Sequence, residues 1–286
     1  MIQWTRLRVL QMLIIQLATF APSNLRAADN CDLLAMNANR PEKTAWSSET
    51  VEEIAFCLRE DANIPDPLMR SLTYESAQVF ISLLESGYRV KVHHWEASIW
   101  EGRDYVEAII RSGFDVNTRS SDGFTALCRA AARGDTSVIK LLLEHGADIH
   151  ARSLTGETPV MCAAKLGESP AALEFLINSG GNLYDRDSLG RLLIHHAAIN
   201  SYSPEFVTVL VKRGMDINAL SYFDMTPLHW AVFLGRKVEN IKLLISLGAD
   251  GSAKDEGGLT PFDYIKDRED LKDQEVYWLL NDARFR

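Results

Sequence analysis

The groups able to do chemistry in this 286-residue chain are seven histidines, four cysteines and 39 acidic side chains. The histidines include two vicinal pairs, His93-His94 and His195-His196. Neighbours on a helix or strand point in different directions, so neither pair is expected to converge on one metal ion. The chain has no Gly-x-Ser-x-Gly elbow, no His-Glu-x-x-His helix and no glycine loop that would cradle a phosphate. The expectation is therefore no catalytic residue, no metal site and no cofactor: the chain reads as a non-enzyme. The cysteines fall into two pairs. In an oxidising compartment a Cys31–Cys57 bridge would close a loop of about 27 residues and stabilise the fold by roughly 3 kcal/mol; the other reading of Cys57 is a buried thiol. Cys128 and Cys162 stand one position out of step in adjacent helices, a rotation of about 100°, so two separate small thiols are expected there rather than a second bridge.

The elements that must position these residues repeat. The stretch from Asp122 to Arg152 is one complete unit. Leu127, Ala130 and Ala131 give a short helix an i, i+3, i+4 apolar stripe, Thr125 is placed to cap it through its hydroxyl, and Gly134 ends it. A second helix starts near Thr136, where Val138, Ile139, Leu141, Leu142 and Leu143 make more apolar surface than the first can cover, and Gly146 breaks it in αL. Such a pair needs neighbours of its own kind. The helix-ending signal recurs at Gly113, Gly146, Gly180, Gly214 and Gly248, spaced by 33, 34, 34 and 34 residues. The helix-starting signal recurs as Thr158-Pro159, Thr226-Pro227 and Thr260-Pro261, with proline where a first turn tolerates it.

On this period and these motifs, above all Thr226-Pro227-Leu228-His229-Trp230-Ala231, the chain resembles the ankyrin repeat family over residues 91 to 268. The resemblance implies an all-α fold, an ankyrin-repeat α-solenoid with short β-hairpin loops in the C-terminal repeats. The expected organisation is a signal peptide at 1–27, an N-terminal cap at 28–64 with a helix from Thr50 to Glu60, and two shortened repeats at 65–117 lacking the hairpin. Four full repeats at 118–253 and a capping repeat at 254–286 follow. In the third full repeat Leu192 replaces the capping threonine and Asn200 to Pro204 replace the glycine turn, so local looseness is expected there. The resemblance also assigns His195 and His229 to hydrogen bonds that tie one repeat's loop to the next.

Arg6 and Arg8 precede an apolar run from Val9 to Ala21, and Leu25-Arg26-Ala27 offers a cleavage site. The run is shorter than the roughly 20 residues that span a bilayer, so export is expected, to a bacterial periplasm or by secretion, with no membrane span after cleavage. Removing residues 1–27 leaves 27 basic against 39 acidic side chains, a net charge of −12. That balance argues against nucleic acid and anionic membranes and suits a basic partner.

What remains is surface. The resemblance implies that hairpin tips and first-helix ends line a concave groove that binds proteins. Carried onto this sequence, the groove positions are Tyr222, Phe223, Met225, Phe233 and Leu234 in the last full repeat. Upstream they include Arg133, Leu166, Leu189, Ile199 and Asn200. The aromatic cluster has the composition of a binding hot spot; the other reading is that the C-terminal cap folds over it. The expected function is a monomeric, exported binding protein with an unidentified protein partner, or more narrowly an immunity or inhibitor protein that occludes a toxin or hydrolase.

Overall fold

A computed structural model of the chain describes residues 48–60, 66–72, 77–200, 204–234, 238–267, 269 and 274–285. The expected signal peptide and Cys31 lie outside these residues. The described chain forms two compact units, one ending at Phe114 and one beginning at Asp115.

The N-terminal unit holds α1 (Ser48–Glu60), α2 (Pro67–Ser71), α3 (Ala77–Glu85), α4 (Val92–Glu101) and α5 (Arg103–Arg111). Helix α3 packs against both α1 and α5, and α4 lies on α5. Ile54, Leu58, Phe80, Leu83, Trp95 and Ile109 fill the interior, with the Phe80 and Tyr105 rings edge to face at 5.6 Å. Only three residues, 88–90, separate Gly87 from the α4 cap Lys91, so this repeat carries no projecting hairpin. On α1, Ile54 and Leu58 are buried, while Phe56 points to solvent with Arg59 over its ring. Cys57 is half-buried.

The C-terminal unit is a row of helix pairs. These are α6 (Ala126–Arg133) with α7 (Thr136–Glu144), α8 (Pro159–Leu166) with α9 (Pro170–Asn178), α10 (Leu193–Ala198) with α11 (Glu205–Lys212), and α12 (Pro227–Phe233) with α13 (Val238–Ser246). A 3₁₀ turn (Pro261–Tyr264) and α14 (Glu275–Ala283) close it. Each first helix packs on the next, from α6 through α8, α10 and α12 to the 3₁₀ turn, and α7, α9 and α11 form a second row. Within this unit the arrangement is an α-solenoid. At the C-terminal end Val276 and Leu280 of α14 are buried against the last pair, while Trp278 is 57% exposed.

Between repeats the chain makes fingers rather than strands. Among the described residues the only bridge outside helices pairs Arg119 with Thr125. Each finger closes through a pair of backbone bonds within its turn, such as Ser153 N–H to Glu157 O and Gly156 N–H to Ser153 O, both at 3.0 Å, too few to register as a hairpin ladder. Neighbouring fingers are joined tip to tip: Leu154 N–H donates to Asp122 O, Ser188 to Thr155, Tyr222 to Leu189 and Glu256 to Phe223, at 2.9–3.2 Å. Arginines fasten their bases, with Arg152 Nη1 donating to Arg186 O and Arg186 Nη1 to Leu220 O, both at 2.8 Å.

Three expectations need correction. The Thr125 hydroxyl makes no cap, and neither does that of Thr158. Thr226 does, because His229 three residues on returns a bond to it: Thr226 N–H donates to His229 Nδ1 at 3.1 Å, a partner that Cys128 and Met161 cannot supply. Asn200 is not a loose loop residue. It is fully buried and its Nδ2 donates to Ala164 O at 2.8 Å and Gly167 O at 3.1 Å, tying its repeat to the preceding one. Cys128 and Cys162 are not separate thiols, since their sulfurs lie at disulfide distance with Cα atoms 5.6 Å apart. Repeats are related nearly by translation, so equivalent side chains point the same way and never face one another; the one-position slip is what turns these two together. Closing a loop of 34 residues, such a bond contributes about 4 kcal/mol in the chain-entropy model.

At the finger turns φ is positive, and Gly190 (φ +70°) also has no room for a side chain, because a Cβ there would lie 2.8 Å from the Tyr222 backbone nitrogen. Gly258 (φ +76°) has the same backbone conformation with nothing within 4 Å. Gly258→Ala is expected to cost about 1 kcal/mol, the αL penalty alone, and Gly190→Ala about 2 kcal/mol or more; urea denaturation of the two variants measures the difference.

Candidate partner-binding surface

Three of the buried histidines repeat one hydrogen-bonding pattern, His94 in the N-terminal unit and His195 and His229 in the unit that carries the surface. In His94, His195 and His229, Nδ1 accepts the backbone N–H of the residue three positions earlier, at 3.0, 3.0 and 3.1 Å. Each neutral ring therefore carries its proton on Nε2. His195 donates it to Met225 O at 3.2 Å and His229 to Leu259 O at 3.1 Å, so each reaches the following finger, as the family resemblance implied. His94 donates instead to Asp66, which also meets His93 Nε2 at 2.9 Å. The vicinal pair thus converges after all, on a carboxylate. Burial opposes ionisation of Asp66, but hydrogen bonds from His93, Met69 and His94 hold it down to about 2. The ligand atoms of Asp66, His93 and His94 are close enough for a metal ion, yet the proton on His94 Nε2 removes the lone pair an ion would need.

A second polar cluster lies under the fingers. Glu157 Oε1 meets Lys165 Nζ at 2.6 Å and Arg191 Nη2 at 3.6 Å, and Arg191 holds Asp187 Oδ2 at 2.7 Å through both Nε and Nη2. His196, fully buried, has Nε2 at 3.1 Å from the same Asp187 oxygen without the alignment of a hydrogen bond. Burial pushes His196 down, while His196 and Arg191 hold Asp187 well below the usual carboxylate range against its own burial. Glu157, Asp187 and His196 also have the spacing of metal ligands, but Lys165 and Arg191 already neutralise the two carboxylates. The cluster is a charge-balanced support with no group poised as nucleophile or base.

Arg191 carries the support outward. Its guanidinium lies 5.0 Å from the Trp230 ring centre, and Trp230 Nε1–H donates to Ser221 Oγ at 3.0 Å. Trp230 meets Phe233 edge to face at 6.1 Å, and Phe233 meets Tyr264 at 5.6 Å. Burial and the Asp255 carboxylate that accepts its hydroxyl push Tyr264 up to about 12. In the same repeat as Trp230, Tyr222 is 62% exposed, Phe233 55% and Phe223 48%, and Leu234 is exposed, as is Leu166 at the end of α8.

Of the expected groove residues, Tyr222, Phe223, Phe233, Leu234 and Leu166 reach solvent, and Leu189 and Arg133 are half-buried. Met225 does not belong to the surface: it packs with Ile199 and Trp230 in a core cluster, and its carbonyl accepts from His195. Ile199 and Asn200 are likewise buried. The capping turn does approach the aromatic patch, through Tyr264, but leaves half of Phe233 in water. Sequence reasoning overlooked His94 and Tyr264. The signals were present, because His94-Trp95 reads like His229-Trp230, and Tyr264 follows Thr260 by the same four residues that separate Trp230 from Thr226.

The chain matches the family model for ankyrin repeats (3 copies) over residues 93–187 and again over 161–255. It belongs to the ankyrin repeat family. Shorter matches join it to potassium channel AKT1 of Oryza sativa subsp. indica, 45% identical over 67 residues, 23% of this chain and 7% of the channel. It is 39% identical over 71 residues to ankyrin repeat domain-containing protein 63 of Homo sapiens, 25% of this chain and 18% of that one. With ankyrin repeat-containing protein P1E11.10 of Schizosaccharomyces pombe it shares 33% over 72 residues, 25% of this chain and 35% of the relative. The chain thus spans about a third or less of these relatives, and the likeness is one of repeats.

Burial pushes His195 down to about 4 and lowers His94, His196 and His229 as well. Below the unfolded value near 6.5 the unfolded chain binds protons that the folded one refuses, so stability is full above pH 6.5 and falls as the pH drops toward 4. Urea midpoints measured from pH 7 to 4.5 are expected to show that fall. The slope is expected to flatten in a His195→Gln/His229→Gln variant, where glutamine keeps a donor and does not titrate.

Proposed function

We propose that this ankyrin-repeat chain is a non-enzymatic binding protein, exported to a periplasm or secreted, that captures a protein partner on the surface around Tyr222, Phe223, Phe233 and Leu234. The observation that carries this reading is the exposure of three large aromatic side chains, Tyr222, Phe223 and Phe233, within one repeat, on a backbone held from beneath by buried hydrogen bonds. An apolar patch left in water is costly, and preorganised aromatic side chains are the usual anchors of interfaces. Two features support export: the Arg6, Arg8 and Val9–Ala21 pattern of the first residues, and the pairing of Cys128 with Cys162, which an oxidising compartment favours. A narrower role as an immunity or inhibitor protein draws on the acidic net charge, which suits masking a basic cleft.

The test is the double substitution Phe223→Ala/Phe233→Ala. Because both side chains are about half exposed, unfolding free energy is expected to change by about 0.5 kcal/mol or less, while capture of the partner from an extract of exported proteins weakens about tenfold or more. A large loss of stability would instead make these residues core and remove the surface from the argument.

A further inference from the structure

The five finger tips differ from the rest of the C-terminal unit in charge. They comprise residues 121–124, 154–157, 188–191, 222–225 and 256–259. Their exposed apolar side chains are Leu154, Tyr222, Phe223 and Leu259. Their exposed charged side chains are all acidic, namely Asp122, Asp224 and Glu256; the tips' Glu157 and Arg191 are buried in the cluster beneath. Asp122 is already paired with Arg129 at 2.9 Å. Asp224 and Glu256 have no cationic partner among the described residues, and the bond from Glu256 N–H to Phe223 O sets Glu256 against the aromatic tip.

Resting on the binding surface proposed above, we infer that its occupant is a peptide segment of a partner protein in which large apolar side chains alternate with lysine or arginine. The apolar groups settle on Tyr222, Phe223 and Phe233, and the cations face Asp224 and Glu256. Opposite charges at such a rim guide the encounter and set which partner is accepted, while like charges exclude others. An acidic segment with the same apolar groups meets two carboxylates it cannot neutralise.

The experiment selects binders from a random-sequence peptide library displayed on phage, using the full chain and two variants as bait. One variant is Asp224→Asn/Glu256→Lys, in which asparagine tolerates the positive φ of residue 224 (54°). The other is Phe223→Ala/Phe233→Ala. Binders to the unaltered chain are expected to be enriched severalfold in Lys and Arg alongside Leu, Phe or Trp. That basic preference is expected to vanish with the charge variant, and the enrichment as a whole with the aromatic variant. Binders with no basic excess, or with an excess that persists on the charge variant, overturn the inference about charge. If they still depend on Phe223 and Phe233, the surface stands and only the partner's chemistry is wrong. Binders indifferent to both phenylalanines, or no enrichment at all, overturn the surface as well.

Discussion

The C-terminal unit depends on how closely its first helices approach one another. Ala130, Ala131, Ala163, Ala164, Ala197, Ala198 and Ala231 are all without solvent exposure, and they let each short helix lie against its neighbours with little between. That spacing makes every other inter-repeat bond reachable. One imidazole can span from its own helix cap to the next finger, one asparagine can touch two carbonyls of the repeat before it, and finger tips come within 3.2 Å of one another. The large side chains of the second helices then have only to fill the volume that remains.

The surface inherits its rigidity from polar groups that contribute little net stability of their own. A buried ion cluster such as Glu157, Lys165, Arg191 and Asp187 returns roughly what its desolvation costs; what it contributes is position. The Arg191 guanidinium is held by Asp187 and lies over the Trp230 ring, and Trp230 in turn meets Phe233 edge to face. Preorganisation of that kind lowers the ordering cost of binding.

How much was legible in the sequence follows from what each feature obeys. The period and the helix pairs follow local rules, above all glycine after a helix, and these read directly, whereas the struts at His195 and His229 came with the family resemblance and the one at His94 was overlooked. The exposure of Tyr222, Phe223 and Phe233 followed from placing them in the repeat. Met225 and Asn200 were misplaced because one-dimensional position does not reveal which neighbour reaches over a residue: His195 and Trp230 cover Met225, and Asn200 turns inward toward the previous repeat's carbonyls. Cys128 and Cys162 went wrong for a geometric reason, since side chains in translated helices face each other only when they are out of register.

That sulfur pair alters how the row behaves as an array. In a solenoid each repeat touches only its neighbours, so partial opening can begin at any junction and spread. A covalent tie between α6 and α8 removes one junction from that set, fusing the first two full repeats into a single cooperative block. Fraying within the unit is then left to the far end, where the short 3₁₀ turn and α14 close the row.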